Sequence, residues 1–118
     1  MKFYIDYPPN FGKLYGLNAI YAGIPWQKRR RNALCWHDMV LLTLKKSGVR
    51  KGLYKYPVRL TFYWNDRLDC SNHAYAAKMI EDALKGYLIV DDSKKYVREI
   101  THKFHADKRI GVKIEAIK

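Results

Sequence analysis

Between Arg67 and Asp92 the chain reads "RLDCSNHAYAAKMIEDALKGYLIVDD". Carboxylates stand toward both ends of this stretch: Asp69 before its helical part, Asp91 and Asp92 after it, with Lys78 between them. Oxygen ligands of this kind suit a hard divalent cation such as Mg²⁺, which takes one or two carboxylates together with water and substrate phosphates. A cation held there neutralises phosphate charge and supplies a hydroxide-like nucleophile. Lys78 and Asp82 are spaced to share one face of a helix. A lysine on that face can stabilise charge building on a scissile phosphate. Each signal has an ordinary counterpart. Paired aspartates before a strand are commonly a solvated turn. A Lys–Asp pair at this spacing is commonly a surface pair worth roughly 0.2–0.5 kcal/mol. An asparagine near a helix start, such as Asn72, is commonly a cap.

The elements that must position these groups follow from hydrophobic periodicity. Lys2 to Tyr7 alternates Phe3, Ile5 and Tyr7 with Lys2, Tyr4 and Asp6, as a strand does, and the following Pro8, Pro9 and Asn10 stop it. Residues 10 to 26 read as a long aromatic, glycine-bearing loop. Lys28 to Lys46 reads as a helix with Ala33, Trp36, Val40 and Leu44 on one stripe, ended by Ser47 and Gly48. Val58 to Trp64 is a second strand, with Pro57 just before it. His73 to Lys85 is a second helix that buries Ala76, Ile80, Ala83 and Leu84, punctuated by Gly86. Ala76 and Ile80 point about 200° away from Lys78 and Asp82, so the polar pair faces a cleft while the stripe faces the core. Next comes the short apolar "YLIVDD". Tyr96 to Phe104 and Ile110 to Ile117 read as two closing strands, with "HADKR" as the turn between them. This order predicts a single-domain α+β sandwich, one mixed sheet with two main helices packed on it. A strand–helix–strand unit can return the chain close to its start, so Asp69 is expected to converge with Asp91 and Asp92.

The 118 residues suit one domain, or one protomer of a small oligomer. Lys and Arg number 23 against 11 Asp and Glu, a formal net charge of +12. Basic residues spread along the chain favour a polyanionic partner, of which nucleic acid is the commonest. In such a protein an acidic island opposes DNA binding unless a cation reverses its charge. No apolar run reaches the length of a membrane span, and no basic helix carries a wide apolar face for a membrane surface. The start, "MKFYIDYPP", has no apolar signal-peptide core, so a cytoplasmic protein is expected. Cys35 and Cys70 make no disulfide framework and are expected to stay reduced.

Lys28, Arg29, Arg30 and Arg31 open the first helix. They either contact DNA phosphates or form a solvated face. A helix N-terminus repels cations, which tilts the run toward function. Lys45, Lys46, Arg50, Lys51 and Lys55 form a second cluster. Tyr15, Tyr21 and Trp26 either stack on an unpaired base or belong to the core or a dimer contact. Cys70-x-x-His73 and His102-x-x-His105 lack the spacing of a zinc finger, and the last two would point to opposite faces of a strand. Asp92-Ser93-Lys94 mimics the Asp-x-Lys core of a large nuclease superfamily, a short pattern common by chance.

Taken together, Asp69-x-x-Asn72, Lys78, Asp82-Ala83-Leu84, Gly86 and Asp91-Asp92-Ser93 resemble the RusA family of Holliday junction resolvases, common in phages and prophages. The segment "YPPNFGKLYGLNAIYAGIPWQKRRR" is similar to that family's N-terminal part, so the resemblance covers essentially the whole chain. It implies a homodimeric, Mg²⁺-dependent endonuclease, with Mn²⁺ as a substitute metal, that cuts four-way DNA junctions by paired incisions. By position, Asp69 and Asp92 match metal-binding acids of the family, Lys78 its catalytic lysine and Asn72 its motif asparagine. Asp91 neighbours the second acid as a further ligand. The best-known form of the motif reads Asp-x-Asp-Asn. Here Ser71, whose hydroxyl carries no charge, stands where that form has its second acid. The Asn72–Lys78 spacing is longer than in that form, while the Lys78–Asp82 spacing is kept. The rival expectation is a non-catalytic branched-DNA-binding protein on the same fold, with its metal site degraded at Ser71.

Overall fold

A computed structural model describes every residue from Met1 to Lys118. The chain runs β1 (Lys2–Ile5), α1 (Phe11–Tyr15), α2 (Leu17–Tyr21), α3 (Trp26–Lys46), β2 (Val58–Trp64), a 3-10 turn (Cys70–His73) continuing into α4 (Ala74–Leu84), β3 (Val97–Phe104) and β4 (Ile110–Ala116). The strands form one four-stranded sheet in the order β1-β4-β2-β3. β2 and β3 are parallel, with Val58 beside Val97 and Trp64 beside Phe104, and the other pairs are antiparallel. The fold is therefore α+β around a mixed sheet, as the element order predicts.

The period-two pattern of β2 sends Val58, Leu60, Phe62 and Trp64 to one face, where all four are fully buried. They meet Phe3, Ile5, Val112 and Ile114 of the neighbouring strands and the apolar stripes of α3 and α4. Burying each large side chain contributes about 1.5–3 kcal/mol. On α3 the buried stripe is Trp36, Val40 and Leu44, and on α4 it includes Ala76, Ile80, Ala83 and Leu84.

Two expectations need correction. Residues 10 to 26 are not a loop, because α1 and α2 lie within them. Phe11 is buried and packs edge-on against Tyr7 and Trp36, which anchors the first of these short helices. At Gly16, between them, an added Cβ would stand 2.8 Å from the Gly12 carbonyl oxygen and 3.4 Å from Leu68, so the junction is closed to larger residues. Nor does "HADKR" join neighbouring strands. β3 and β4 lie on opposite sides of β2, and the segment crosses the end of β2, where His105 N donates to the Trp64 carbonyl at 3.0 Å.

The turn after α4 sets the position of the acids that follow. The Leu84 carbonyl accepts the amides of Tyr87, Leu88 and Ile89 at 3.1, 3.0 and 3.2 Å, and Gly86 N donates to the Ile89 carbonyl at 2.7 Å. Leu88 and Ile89 are buried, so this reversal is pinned to the core. Gly86 has φ +76°, the left-handed region that favours glycine. No helix is long and apolar enough to cross a membrane.

Gly86→Ala meets open space but keeps the left-handed backbone. It is expected to lower unfolding free energy by about 1–2 kcal/mol, measured by urea denaturation. Stability equal to the parent would contradict this account of the turn.

Candidate metal centre

α4 and the reversed segment behind it bring Glu81, Asp82 and Asp92 together, with one oxygen of each within 4.8 Å of the others. Two ammonium groups hold this cluster. Lys78 Nζ donates to Asp92 Oδ2 and lies 3.1 Å from Asp82 Oδ1 and 3.3 Å from Glu81 Oε1. Lys85 Nζ bridges the same two aspartates, at 3.1 Å from Asp82 Oδ1 and 3.0 Å from Asp92 Oδ2. Asp82 Oδ1 is buried, and its two ammonium contacts are ionic without hydrogen-bond alignment. Three carboxylates against two ammoniums leave the group one negative charge in excess when all are ionised.

Helix geometry explains the arrangement. Lys78, Asp82 and Lys85 follow one another at spacings that share a helix face. Glu81 lies one step round, between Ala77 and Leu84 on the apolar side, and is only 4% exposed. Burial pushes its carboxyl pKa up, against the pull of the Lys78 charge. Hydrogen bonds from Lys78 and then Lys85 hold the Asp92 carboxyl far below the usual carboxylate range, against its partial burial. For Lys78 burial acts downward, but the hydrogen bond to Asp92 and the charge of the neighbouring Asp82 and Glu81 carboxylates outweigh it and its pKa is raised. The Lys85 ammonium is raised by the same two aspartates, Asp92 first.

The donor set fits a hard cation: three carboxylates from adjacent segments, one with a buried oxygen lacking any hydrogen bond. The cluster can therefore hold a metal ion, with Glu81, Asp82 and Asp92 as its ligands.

The sequence-derived set maps onto this centre only in part. Asp92, Asp82 and Lys78 are in it. Glu81 and Lys85 were missed, although a charge on the apolar stripe between Ala77 and Leu84 is a readable anomaly at Glu81. Asp69 stands apart: it is exposed, opens the 3-10 turn and is not in the cluster. The reason is topological. β2 and β3 are parallel, so the connection leaving β2 and the one entering β3 lie at opposite ends of the sheet. Cys70, next to Asp69, has its Sγ 3.7 Å from the His102 carbonyl near the far end of β3. Asp91 is half-buried beside Asp92 but outside the cluster. Ser71 is exposed, and neither the 3-10 turn nor α4 has a side-chain cap, so Asn72 is not one.

Other groups noted in the sequence also have definite places. His73 is fully buried, with Nε2 2.8 Å from Asp66 Oδ1 and Nδ1 3.0 Å from the Cys70 carbonyl. Tyr7 donates to the same Asp66 carboxylate at 2.8 Å. His102 Nδ1 accepts from Trp64 Nε1 at 3.0 Å, and His105 Nε2 lies 2.7 Å from the Arg109 carbonyl. These histidines are structural. Lys28, Arg29, Arg30 and Arg31 are all exposed on the first turns of α3. Tyr15 packs against Trp36, whereas Tyr21 and Trp26 are 77% and 58% exposed.

No protein-family model matches the chain, and no curated protein matches it.

The Asp92 shift gives a pH test. Its folded pKa lies below the ordinary value near 3.9. The unfolded chain therefore binds more protons in that interval, and the stability Asp92 contributes is present above it and lost as pH falls through it. Asp92→Asn is expected to flatten the acid limb of stability from about pH 4 downward, measured as urea midpoints over pH. Parallel curves for parent and variant would contradict the ion-pair assignment.

Proposed function

We propose that the chain is a metal-dependent, structure-selective endodeoxyribonuclease acting on branched DNA, with four-way junctions as substrate and Mg²⁺, or Mn²⁺ in its place, as the metal. The observation that carries this reading is the meeting of Glu81, Asp82 and Asp92 around the Lys78 and Lys85 ammoniums in a chain of net charge +12. The chemistry a bound divalent cation supplies there is charge neutralisation at the scissile phosphate and a hydroxide-like water. Lys78 is half exposed and kept protonated by the carboxylates around it, so its ammonium is available to the charge that builds on the phosphoryl oxygens. Lys85 bridges Asp82 and Asp92 and orients both carboxylates.

Basic and aromatic features beside the centre and elsewhere on the surface support a DNA partner. The loop carrying Arg50, Lys51 and Lys55 is tied to the segment behind α4 by Gly52 N to the Tyr87 carbonyl and Tyr54 N to the Leu88 carbonyl, both at 2.9 Å. Exposed Trp26 opens α3 just before the run Lys28–Arg31, and exposed Tyr21 ends α2, so aromatic faces and cations that suit unpaired bases and their phosphates are close in the chain. Ile100 and Phe104 are exposed on the edge strand β3. A twofold contact there would give a homodimer with two centres, as paired incision requires. The reading accords with the resemblance to RusA resolvases.

Three observations favour a second reading, a non-catalytic branched-DNA-binding protein. Asp69 stands outside the cluster, Ser71 brings no acid, and lysines already pair with Asp82 and Asp92. Incubating the chain with a synthetic four-way junction and a matching linear duplex in Mg²⁺ separates the two. The nuclease reading expects paired cuts in the junction, slowed about 100-fold or more by Asp92→Asn and by Lys78→Met, with junction binding in EDTA retained. Tight junction binding with no cuts would select the second reading, and an Asp92→Asn variant that cuts like the parent would exclude this centre as the active site.

A further inference from the structure

Beyond the acid–lysine centre, the residues that follow Asp92 form a separate feature. The Ser93 carbonyl accepts the amides of Tyr96 and Val97, both at 2.9 Å. This turn holds Lys94 and Lys95 between Asp92 and the start of β3, and Arg98 stands on the second position of that strand. Lys94, Lys95 and Arg98 alone line an open hollow of about 450 Å³, into which no carboxylate projects. All three are exposed, and none takes part in an ion pair. Lys95 Nζ lies 5.5 Å from the Tyr96 ring centroid. By contrast, Lys78 and Lys85 share Asp82 and Asp92, and Arg59 has Glu99.

Three like charges gathered around one hollow repel one another, and an anion seated there relieves the repulsion beyond what solvent and salt screen. The hollow is open rather than enclosed, and its wall is made of the aliphatic stems of these three side chains, each of which ends in a cationic donor. Guanidinium and ammonium groups in this setting suit phosphate oxygens, with Arg98 able to grip one phosphate through two parallel bonds. A chain running over the hollow toward Asp92 passes from a cationic seat to the acid–lysine centre within a few residues.

We infer that Lys94, Lys95 and Arg98 form a seat for the phosphodiester backbone of DNA, holding the strand that flanks the phosphate presented to Asp92. This rests on the nuclease reading only for the word flanking; the phosphate seat itself is independent of cutting.

The test uses the full chain and a linear DNA duplex in EDTA, with affinity measured by fluorescence anisotropy across a NaCl series. Each phosphate neutralised contributes about 0.9 to the slope of log K against log salt. Changing Lys94→Gln, Lys95→Gln and Arg98→Gln together is expected to reduce the slope by between about 1 and 3. A control of equal charge change, Lys13→Gln, Lys103→Gln and Lys108→Gln, removes exposed lysines from α1 and from the opposite end of β3. It is expected to reduce the slope by less. A slope unchanged in the first variant, or reduced no further than in the control, would overturn the seat. Binding is read without metal and cutting is read separately on the junction in Mg²⁺, so a chain that binds through these residues but does not cut in Mg²⁺ would sink the nuclease reading alone. One that cuts with its salt slope untouched by the first variant would sink the seat alone.

Discussion

Lys78 is the group on which the site depends. Its ammonium draws together carboxylates from α4 and from the segment that reverses behind it, and Lys85 ties two of them a second time. Without those cations Glu81, Asp82 and Asp92 would repel one another at the distances observed, as like charges only a few ångströms apart must. The same electrostatics makes the cluster receptive to a divalent ion, which satisfies the excess negative charge more compactly than two flexible side chains can. The lysines thus preserve, in the metal-free chain, an arrangement of oxygens that suits a hard cation.

The rest of the fold supplies the constraint that lets this happen. α4 packs its Ala and Ile stripe on the sheet, which fixes the rotation of the helix and turns Lys78, Asp82 and Lys85 to one side. The tight turn at Gly86 and the burial of Leu88 and Ile89 then bring Asp92 back along the helix it has just left. At the opposite end the buried His73–Asp66 pair, with Tyr7, fastens the connection that leaves β2. The two ends are held by different chemistry.

Much of the fold was legible because its elements carry strong periods. Val58 to Trp64 matches β2 as observed, and the stripes of both main helices are buried where the 3.6-residue repeat places them, Ala33 only partly. Residues 10 to 26 were not legible, since helices of five residues are too short to show a period and depend on Phe11 and Tyr15 finding Trp36. At the site, Lys78 and Asp82 were readable from helical spacing alone. Bringing Asp69 to Asp92 was not sound on spacing, because it needed the direction of β3. A parallel partner for β2 places the two loops at opposite ends, and alternation within a strand does not encode that choice. Lys85 is hidden for a different reason: the period makes it the last residue of the helix, and its reach to Asp92 depends on the turn that follows.

The most direct test of the centre is a crystal of the chain soaked in Mn²⁺ and measured at the manganese absorption edge. This account predicts an anomalous peak among the carboxylates of Glu81, Asp82 and Asp92, with the Lys85 ammonium moved away from both aspartates. A peak at Asp69 instead, or no peak with both lysines still on their carboxylates, would contradict it.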